Sequence, residues 1–383
     1  MKEQGVVKQQ RQTETIALLS SSPGTRRTLT VHRWGTPGRG PKAYIQTGLH
    51  ADELPGLLVV QHLLPLIDAA GESGAILGEI QVVPTANPIG LSQYLFGKHA
   101  GRFEFDSLGN FNRHYPDLAT SVGDAVAERL SDDAAGNIDL IRAECRRQLE
   151  ARVPKTEVEQ LRLELMRRAV DADIALDLHC DDVAVMHVYL GTPLWPSAAD
   201  LAFELDARAA LTAEVSGGEP FDEAVGGIWW QLAQRFPDCP IPPACLSATV
   251  ELRGDRDVSD SLATQDAAAL FRLLQRRGVI AGDPGPLPAA SCDGTPLSGT
   301  DILECPVGGV LVFHHEAGDR VEAGELIAEI VDPVTGTRTP LITRASGVLF
   351  ARTGHPLARP GLPAAKIAGP VPLAHRTGAL LTQ

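Results

Sequence analysis

Along its first 280 residues the chain sets short apolar runs between polar breaks, the signature of buried strands alternating with helices. Thr28-Leu29-Thr30-Val31-His32-Arg33-Trp34 alternates as a strand does, and Ala43-Tyr44-Ile45-Gln46 reads as the end of a buried one. Leu57 to Leu66 is apolar enough for a helix packed on a sheet. Further strands are predicted at Glu79 to Pro84, Asp173 to His179, Met186 to Leu190 and Leu246 to Leu252. Asp200 to Leu211 has helix-forming composition, and Ser261 to Gly278 is amphipathic, with Leu262, Ala269, Leu270, Leu273 and Leu274 near one face. The pattern implies an α/β frame.

Two stretches depart from it. Leu91 to Asp117 lacks periodicity, and a loop that long inside a domain is usually functional or disordered. Its aromatics Phe103, Phe105, Phe111 and Tyr115 favour an ordered one. Asp124 to Val170 is charged and helical, and its Arg146, Arg147, Arg152, Arg162, Arg167 and Arg168 read as solvated helix faces. This suggests a helical insertion over about 121–172. A Pro/Gly-rich boundary follows at Ala281 to Pro288, beyond which helical patterns vanish. Gly308-Gly309-Val310-Leu311-Val312 and Ser346-Gly347-Val348-Leu349-Phe350 echo each other, suggesting a small β-barrel or flattened sandwich. The expected organisation is a polar tail at 1–14, a catalytic domain at 15–283 and an all-β domain at 290–383.

Composition narrows the partners. The 383 residues, 44% hydrophobic and 21% charged, suit a globular protein. A formal net charge of -14 argues against nucleic acid or an anionic membrane as the main partner. No apolar run of 18 residues and no signal-peptide pattern appear, so a cytoplasmic location is expected. Six cysteines, Cys145, Cys180, Cys239, Cys245, Cys292 and Cys305, include no C-x-x-C pair, so neither a zinc knuckle nor a disulfide framework is suggested. Cys180 adjoins His179, but with no base identifiable beside it the thiol reads as structural.

The candidate chemistry sits where strands end. His50 and Glu53 occupy a predicted strand-to-helix turn, where open α/β sheets bind ligands. His-x-x-Glu there can aim an imidazole nitrogen and a carboxylate at one point, two of the three protein ligands of a catalytic zinc. His179, closing a second buried strand, supplies a third. Glu251, near the end of another strand, is left free as a base, and Asp177 shares a sheet face with His179 and can orient it.

Together these segments resemble the succinylglutamate desuccinylase/aspartoacylase family of zinc-carboxypeptidase-like hydrolases. The resemblance runs from about Thr28 to Ile280. It is carried by Gly48-Leu49-His50-Ala51-Asp52-Glu53 (the G-x-H-x-x-E motif), Asn110-Phe111-Asn112-Arg113 (D-x-N-R), Asp177-Leu178-His179 (D-L-H) and Val250-Glu251-Leu252. It implies a mixed-sheet α/β fold and one zinc per chain held by His50, Glu53 and His179. Glu251 is then the general base, and Asn112 and Arg113 grip a substrate carboxylate through the guanidinium fork. Two departures stand out. Asn110 replaces the motif's Asp, losing any charge from that position, and the carbonyl-polarising arginine has no secure counterpart, Arg102 and Arg253 being the candidates. The C-terminal domain resembles the biotinyl or lipoyl fold, yet its hairpin Asp332 to Arg338 lacks the lysine that attachment chemistry needs, so it reads as a structural or cleft-shaping module.

The expected activity is zinc-dependent removal of an acyl group from an N-acyl amino acid or related small amide bearing a carboxylate. A metallocarboxypeptidase acting on short peptides is the alternative, and a non-catalytic metal-containing binding protein is the alternative of another class. No nucleic acid or membrane partner is expected, and a homo-oligomer is left open.

Overall fold

The computed structural model describes residues 8–381. Nine strands form one mixed sheet: β1 (Gln12–Ala17), β2 (Thr28–Gly35), β3 (Lys42–Thr47), β4 (Glu79–Val83), β7 (Ile174–Asp181), β9 (His187–Gly191), β10 (Ala209–Ala213), β11 (Leu246–Gly254) and β12 (Gly294–Pro296). Their order across the sheet is β1-β2-β4-β3-β7-β11-β9-β10-β12. The pair β5 (Tyr94–Leu95) and β6 (Lys98–His99) forms a small separate hairpin. Central strands β3 and β7 run parallel and are buried along nearly their whole length, which explains the apolar runs Ala43 to Ile45 and Ile174 to Leu176. The predicted mixed α/β architecture is therefore the one observed.

Helices cover both faces. On one side α1 (Pro55–Glu72), α5 (Ala199–Glu204) and α7 (Asp260–Arg276) bring Leu63, Ile67, Leu201 and Leu270 against Ile45, Leu176 and Val250. Pro55 at the first turn starts α1 where a missing N–H costs nothing, and its buried stripe Val59, Val60, Leu63, Ile67 follows the helical period. On the other side α2 (Ala119–Val126), α3 (Ala134–Glu150), α4 (Glu157–Ala169) and α6 (Phe221–Arg235) pack Val122, Leu161, Phe221 and Trp229 against Tyr44 and Ala175.

The C-terminal region carries two more sheets. One contains β13 (Thr300–Glu304), β20 (Pro363–Ala368), β18 (Gly347–Arg352) and β15 (Arg320–Val321), with β8 (Val183–Ala184) also pairing β18. The other contains β17 (Arg338–Ile342), β16 (Leu326–Val331), β14 (Gly309–Phe313) and β19 (Leu357–Ala358). Residues of both, among them Leu311, Ile327, Ile330, Leu349 and Ile367, share one apolar core. Among the ties of this region to the rest of the fold, β8, which follows β7, pairs β18, and β12, beyond the Pro/Gly stretch, extends the large sheet beside β10.

Several expectations change. Residues 12–14, expected in a polar tail, open β1, which pairs with β2, and Arg11 is bonded to Asp68; residues 1–7 of that tail lie outside the described residues. The helix expected over Asp200 to Leu211 stops at Glu204, and the chain re-enters the sheet as β10. Its alanines favour a helix by propensity, but burial of Ala209, Ala210 and Leu211 between layers decides otherwise. Of the arginines expected on solvated faces, Arg146, Arg147 and Arg152 are exposed, whereas Arg162, Arg167 and Arg168 are half-buried. Arg162 donates to the Asn110 carbonyl and Arg167 to the Leu149 carbonyl, so these cations fix loops and helix ends. Helix α6, whose two glycines and two tryptophans obscure its period, had no counterpart in the sequence pattern.

Candidate metal centre and catalytic cavity

β3 and β7 are neighbours in the sheet and end at the same edge, so residues far apart in sequence meet there. After β3 the chain turns through Gly48, whose φ of 71° lies in the left-handed region, and a Cβ at that position would fall 2.9 Å from Leu57 Cδ1. That turn delivers His50 and Glu53 to the carboxyl end of β7, where His179 stands.

His50 Nδ1 lies 2.9 Å from Glu53 Oε1, and His179 Nδ1 lies 2.8 Å from Glu53 Oε2. The ligating atoms of all three residues fall within 4.8 Å of one another. The opposite ring nitrogens face outward to oxygen acceptors: His50 Nε2 is 2.8 Å from Asn110 Oδ1, and His179 Nε2 is 2.8 Å from Asp177 Oδ2. An imidazole that gives its Nε2 hydrogen to such an acceptor turns an Nδ1 lone pair inward, the arrangement found behind metal-ligating histidines. Two lone pairs and a carboxylate then converge on one point, which favours a cation. The donor set of two nitrogens and one oxygen is that of a catalytic zinc.

Without a cation between them, the three residues share protons instead, and a bound cation would displace the one on His179. Burial alone would raise the Glu53 carboxyl, but His50 and His179 hold it well below the usual range. Burial would lower His179, yet Asp177 and Glu53 outweigh it and raise the group. His50 is lowered, first by burial and then by the Arg102 guanidinium. Glu53 is further fixed by the Cys180 backbone N–H, which donates to Oε2 at 3.1 Å.

A cavity of about 110 Å³ opens beside these residues and is lined by His50, His179, Asn112, Arg113, Arg102 and Glu251. Strand register explains the grouping. Glu251 of β11 pairs with His179 on one side and His187 on the other, so the three side chains share a face. Glu251 Oε2 is buried without a hydrogen-bond partner among the described residues, and burial followed by the charge of Glu53 pushes its carboxyl up to about 8.

Asn112 and Arg113 also border the cavity. Asn112 Oδ1 accepts from the Phe221 N–H at the start of α6, while its Nδ2 stays 3.5 Å from His179 Nε2. Arg113 runs past Gly218 and is influenced by Asp222 and Glu223. The two candidate arginines separate cleanly. Arg102 Nη1 sits 3.1 Å from His50 Nδ1 and 3.2 Å from Glu53 Oε1, whereas Arg253 is paired with Asp266 on α7 and does not border the cavity. The Cys180 thiol is raised by burial and then by Glu53 and Glu251, which keeps it protonated.

The sequence pattern did not single out Lys366, Trp230, Leu211, Leu297 or Leu381, which also line the cavity. Lys366 reaches it from β20 and bonds Asp181 Oδ2 at 2.5 Å. Its signal, one lysine in a β-rich segment, is no different from that of a surface residue.

Comparison with known proteins fits this geometry. Residues 39–140 match the succinylglutamate desuccinylase/aspartoacylase catalytic domain. No curated protein matches the sequence. A protein from Shewanella frigidimarina described as a succinylglutamate desuccinylase/aspartoacylase is 23% identical with a TM-score of 0.82, the alignment covering 95% of this chain and 98% of that one. A family protein from Shewanella amazonensis is 25% identical, also with a TM-score of 0.82, over 94% and 98% of the two chains. The product-bound ectoine utilization protein EutE (DoeB) of Ruegeria pomeroyi is 16% identical with a TM-score of 0.66, over 94% and 95%. By its sequence over residues 39–140 and its fold over 95% of its length, the chain resembles the succinylglutamate desuccinylase/aspartoacylase family.

Proposed function

We propose that the protein is a zinc-dependent amidohydrolase that removes the acyl group from an N-acyl amino acid or related small amide. The observation that carries this reading is the convergence of His50, Glu53 and His179 beside an unpartnered Glu251 oxygen in one cavity. When bound by those three residues, one zinc per chain supplies a Lewis acid and lowers the proton affinity of water.

The chain's own groups account for the rest. Glu251 Oε2 takes a proton from the attacking water and returns it to the amine nitrogen as the C–N bond breaks. Burial and the charge of Glu53 raise this carboxyl, and a cation held by His50, Glu53 and His179 would offset that rise and free Oε2 to accept the proton. Arg113 and the Asn112 amide hold the substrate carboxylate, and Arg102, bordering the ligand atoms, polarises the carbonyl. The products are a carboxylate and a free amino acid.

The same reading assigns 15–283, together with residues 12–14 of β1 and the strand β12, to the catalytic part, with 121–172 as a helical insertion, and the rest of 290–383 to a flattened β-sandwich resembling a biotinyl or lipoyl domain that shapes the cleft. Support for the last point comes from the common core of the two C-terminal sheets and from Lys366 and Leu381 bordering the cavity. A metallocarboxypeptidase would use the same groups.

The test is hydrolysis of N-acetyl and N-succinyl amino acids beside short peptides by zinc-loaded protein, with the Glu251→Gln variant as control. Release of free amino acid from the acylated substrates is expected, and Glu251→Gln should lower kcat by roughly 10²–10⁴ while keeping zinc. Release of C-terminal residues from peptides alone would transfer the assignment to a carboxypeptidase. Unchanged turnover in Glu251→Gln would remove Glu251 as the base.

A further inference from the structure

The cavity is not uniform along the sheet edge. Asp177, Thr249, Tyr189 and Leu211 are successive register partners across β7, β11, β9 and β10, so one row of side chains leads away from the metal ligands. Three strand spacings amount to about 14 Å. The first end of that row is polar, and the far end is apolar, with Leu211, Ala213, Leu297 and Leu381 on the wall.

Leu381 belongs to a segment that comes from beyond the C-terminal sheets. The segment is pinned where the Leu373 N–H donates to the Ser298 carbonyl at 2.9 Å, and again where the Leu380 N–H donates to the Ser216 carbonyl at 2.8 Å. Between these points it passes over Gly217, where a Cβ would come within 3.0 Å of Ala379 Cα. Gly217 has φ 97°, a left-handed backbone that favours glycine, and the close approach of Ala379 leaves little room for a side chain there. Leu380 and Leu381 pack with Leu211, Leu297 and Phe350, which anchors the segment by burial as well.

Leu381 also stands on a boundary. It lines the inner cavity of about 110 Å³ and, on its other side, an outer cleft of about 590 Å³ between the Arg102 loop and the C-terminal sheet. Leu381 thus forms part of the wall between the two.

Arg113 identifies which half of a substrate meets that wall. Its side chain lies against Gly218, two residues after the Ser216 carbonyl that holds the segment. A carboxylate and a side chain leave the same carbon of an amino acid, so a carboxylate at Arg113 places the side chain beside the wall. An acidic side chain would also meet Asp222 and Glu223, which line this part of the cavity. Glu223 Oε2 is already occupied by the Ser216 backbone N–H at 2.8 Å and hydroxyl at 2.5 Å, and both acids lie in the field of Arg113.

We propose that Leu381, with Leu211, Ala213 and Leu297, forms the side-chain subsite of the amine half, that it takes aliphatic amino acids, and that Leu381 sets their size limit. This rests on the deacylase reading and deepens it by naming a substrate class.

The experiment compares wild type, Leu381→Ala and Leu381→Trp, zinc-loaded and full length, on N-acetyl derivatives of alanine, valine, leucine, phenylalanine, aspartate and lysine. Wild type should favour the aliphatic substrates. Leu381→Ala should shift the kcat/KM ratio of phenylalanine to valine upward by roughly 10-fold, and Leu381→Trp should shift it downward by a similar factor. The same ratio in all three proteins, or a wild-type preference for aspartate or lysine, overturns the subsite. Calorimetric binding of N-acetyl-leucine and N-acetylaspartate to zinc-loaded Glu251→Gln separates this inference from the deacylase reading. Tighter binding of the leucine derivative without turnover in wild type keeps the subsite and removes the hydrolase, and equal binding removes the subsite.

Discussion

Asn110 Oδ1 lies 2.8 Å from His50 Nε2, so the residue that replaces the motif's aspartate still meets the histidine of the candidate metal centre. The amide carries no charge, but its oxygen accepts the Nε2 hydrogen and fixes which nitrogen faces Glu53. The same oxygen accepts the Asn112 N–H at 2.8 Å, and Arg162 holds the Asn110 carbonyl at 2.9 Å. What the substitution loses is basicity at His50, while the orientation survives. Asn110→Ala should therefore weaken zinc binding by roughly 10–100-fold, as loss of an outer partner does. Competition with a chromogenic chelator reads this directly, and unchanged affinity would show that Asn110 does not orient the ligand.

The parts of the site legible in the sequence share a physical reason. His50, Glu53, His179 and Glu251 each follow or end a short buried apolar run, and polar groups at such ends face the ligand edge of an α/β sheet. Asp177 was legible because strand periodicity alone puts it on the face of His179. Leu381 and Lys366 were not, because an apolar or basic residue gains its role only when a distant segment folds over the cavity. β10 was hidden by alanines whose helical propensity is overridden by the layers around them, and Arg162 by neighbours that do face solvent.

Asp222 lines the cavity in the first turn of α6, and burial, then Glu223 and Asp177, push its carboxyl up to about 7. An acid whose folded value exceeds the unfolded value of 3.8 binds more protons when folded across the interval between them. Stability from this group is therefore greatest at low pH, falls as pH rises from about 4 to about 7, and stays low above that. Asp222→Asn removes the slope. Urea denaturation of metal-free protein should show the variant gaining on wild type between pH 5 and pH 8, by roughly 2–3 kcal/mol. A constant difference across that range would mean that Asp222 is not held protonated by its surroundings.

The C-terminal region meets the large sheet through Asp182, one residue beyond β7. Asp182 Oδ2 accepts the Gly354 N–H at 2.7 Å and the Thr353 hydroxyl at 3.1 Å, next to the short pairing of β8 with β18. Asp182 lines the outer cleft and does not border the inner cavity, whereas β20 of the same C-terminal sheet carries Lys366 into it. Asp182→Ala should cost about 1–2 kcal/mol of stability from the two lost charge-assisted bonds. If the docked sheet completes the substrate pocket, the variant should also raise KM for N-acetyl amino acids more than it lowers kcat, because the metal ligands and Glu251 keep their own anchors. Asp182→Asn retains an oxygen acceptor and should recover most of the KM. A loss of stability with KM unchanged would mean that the C-terminal sheets brace the fold without shaping the pocket.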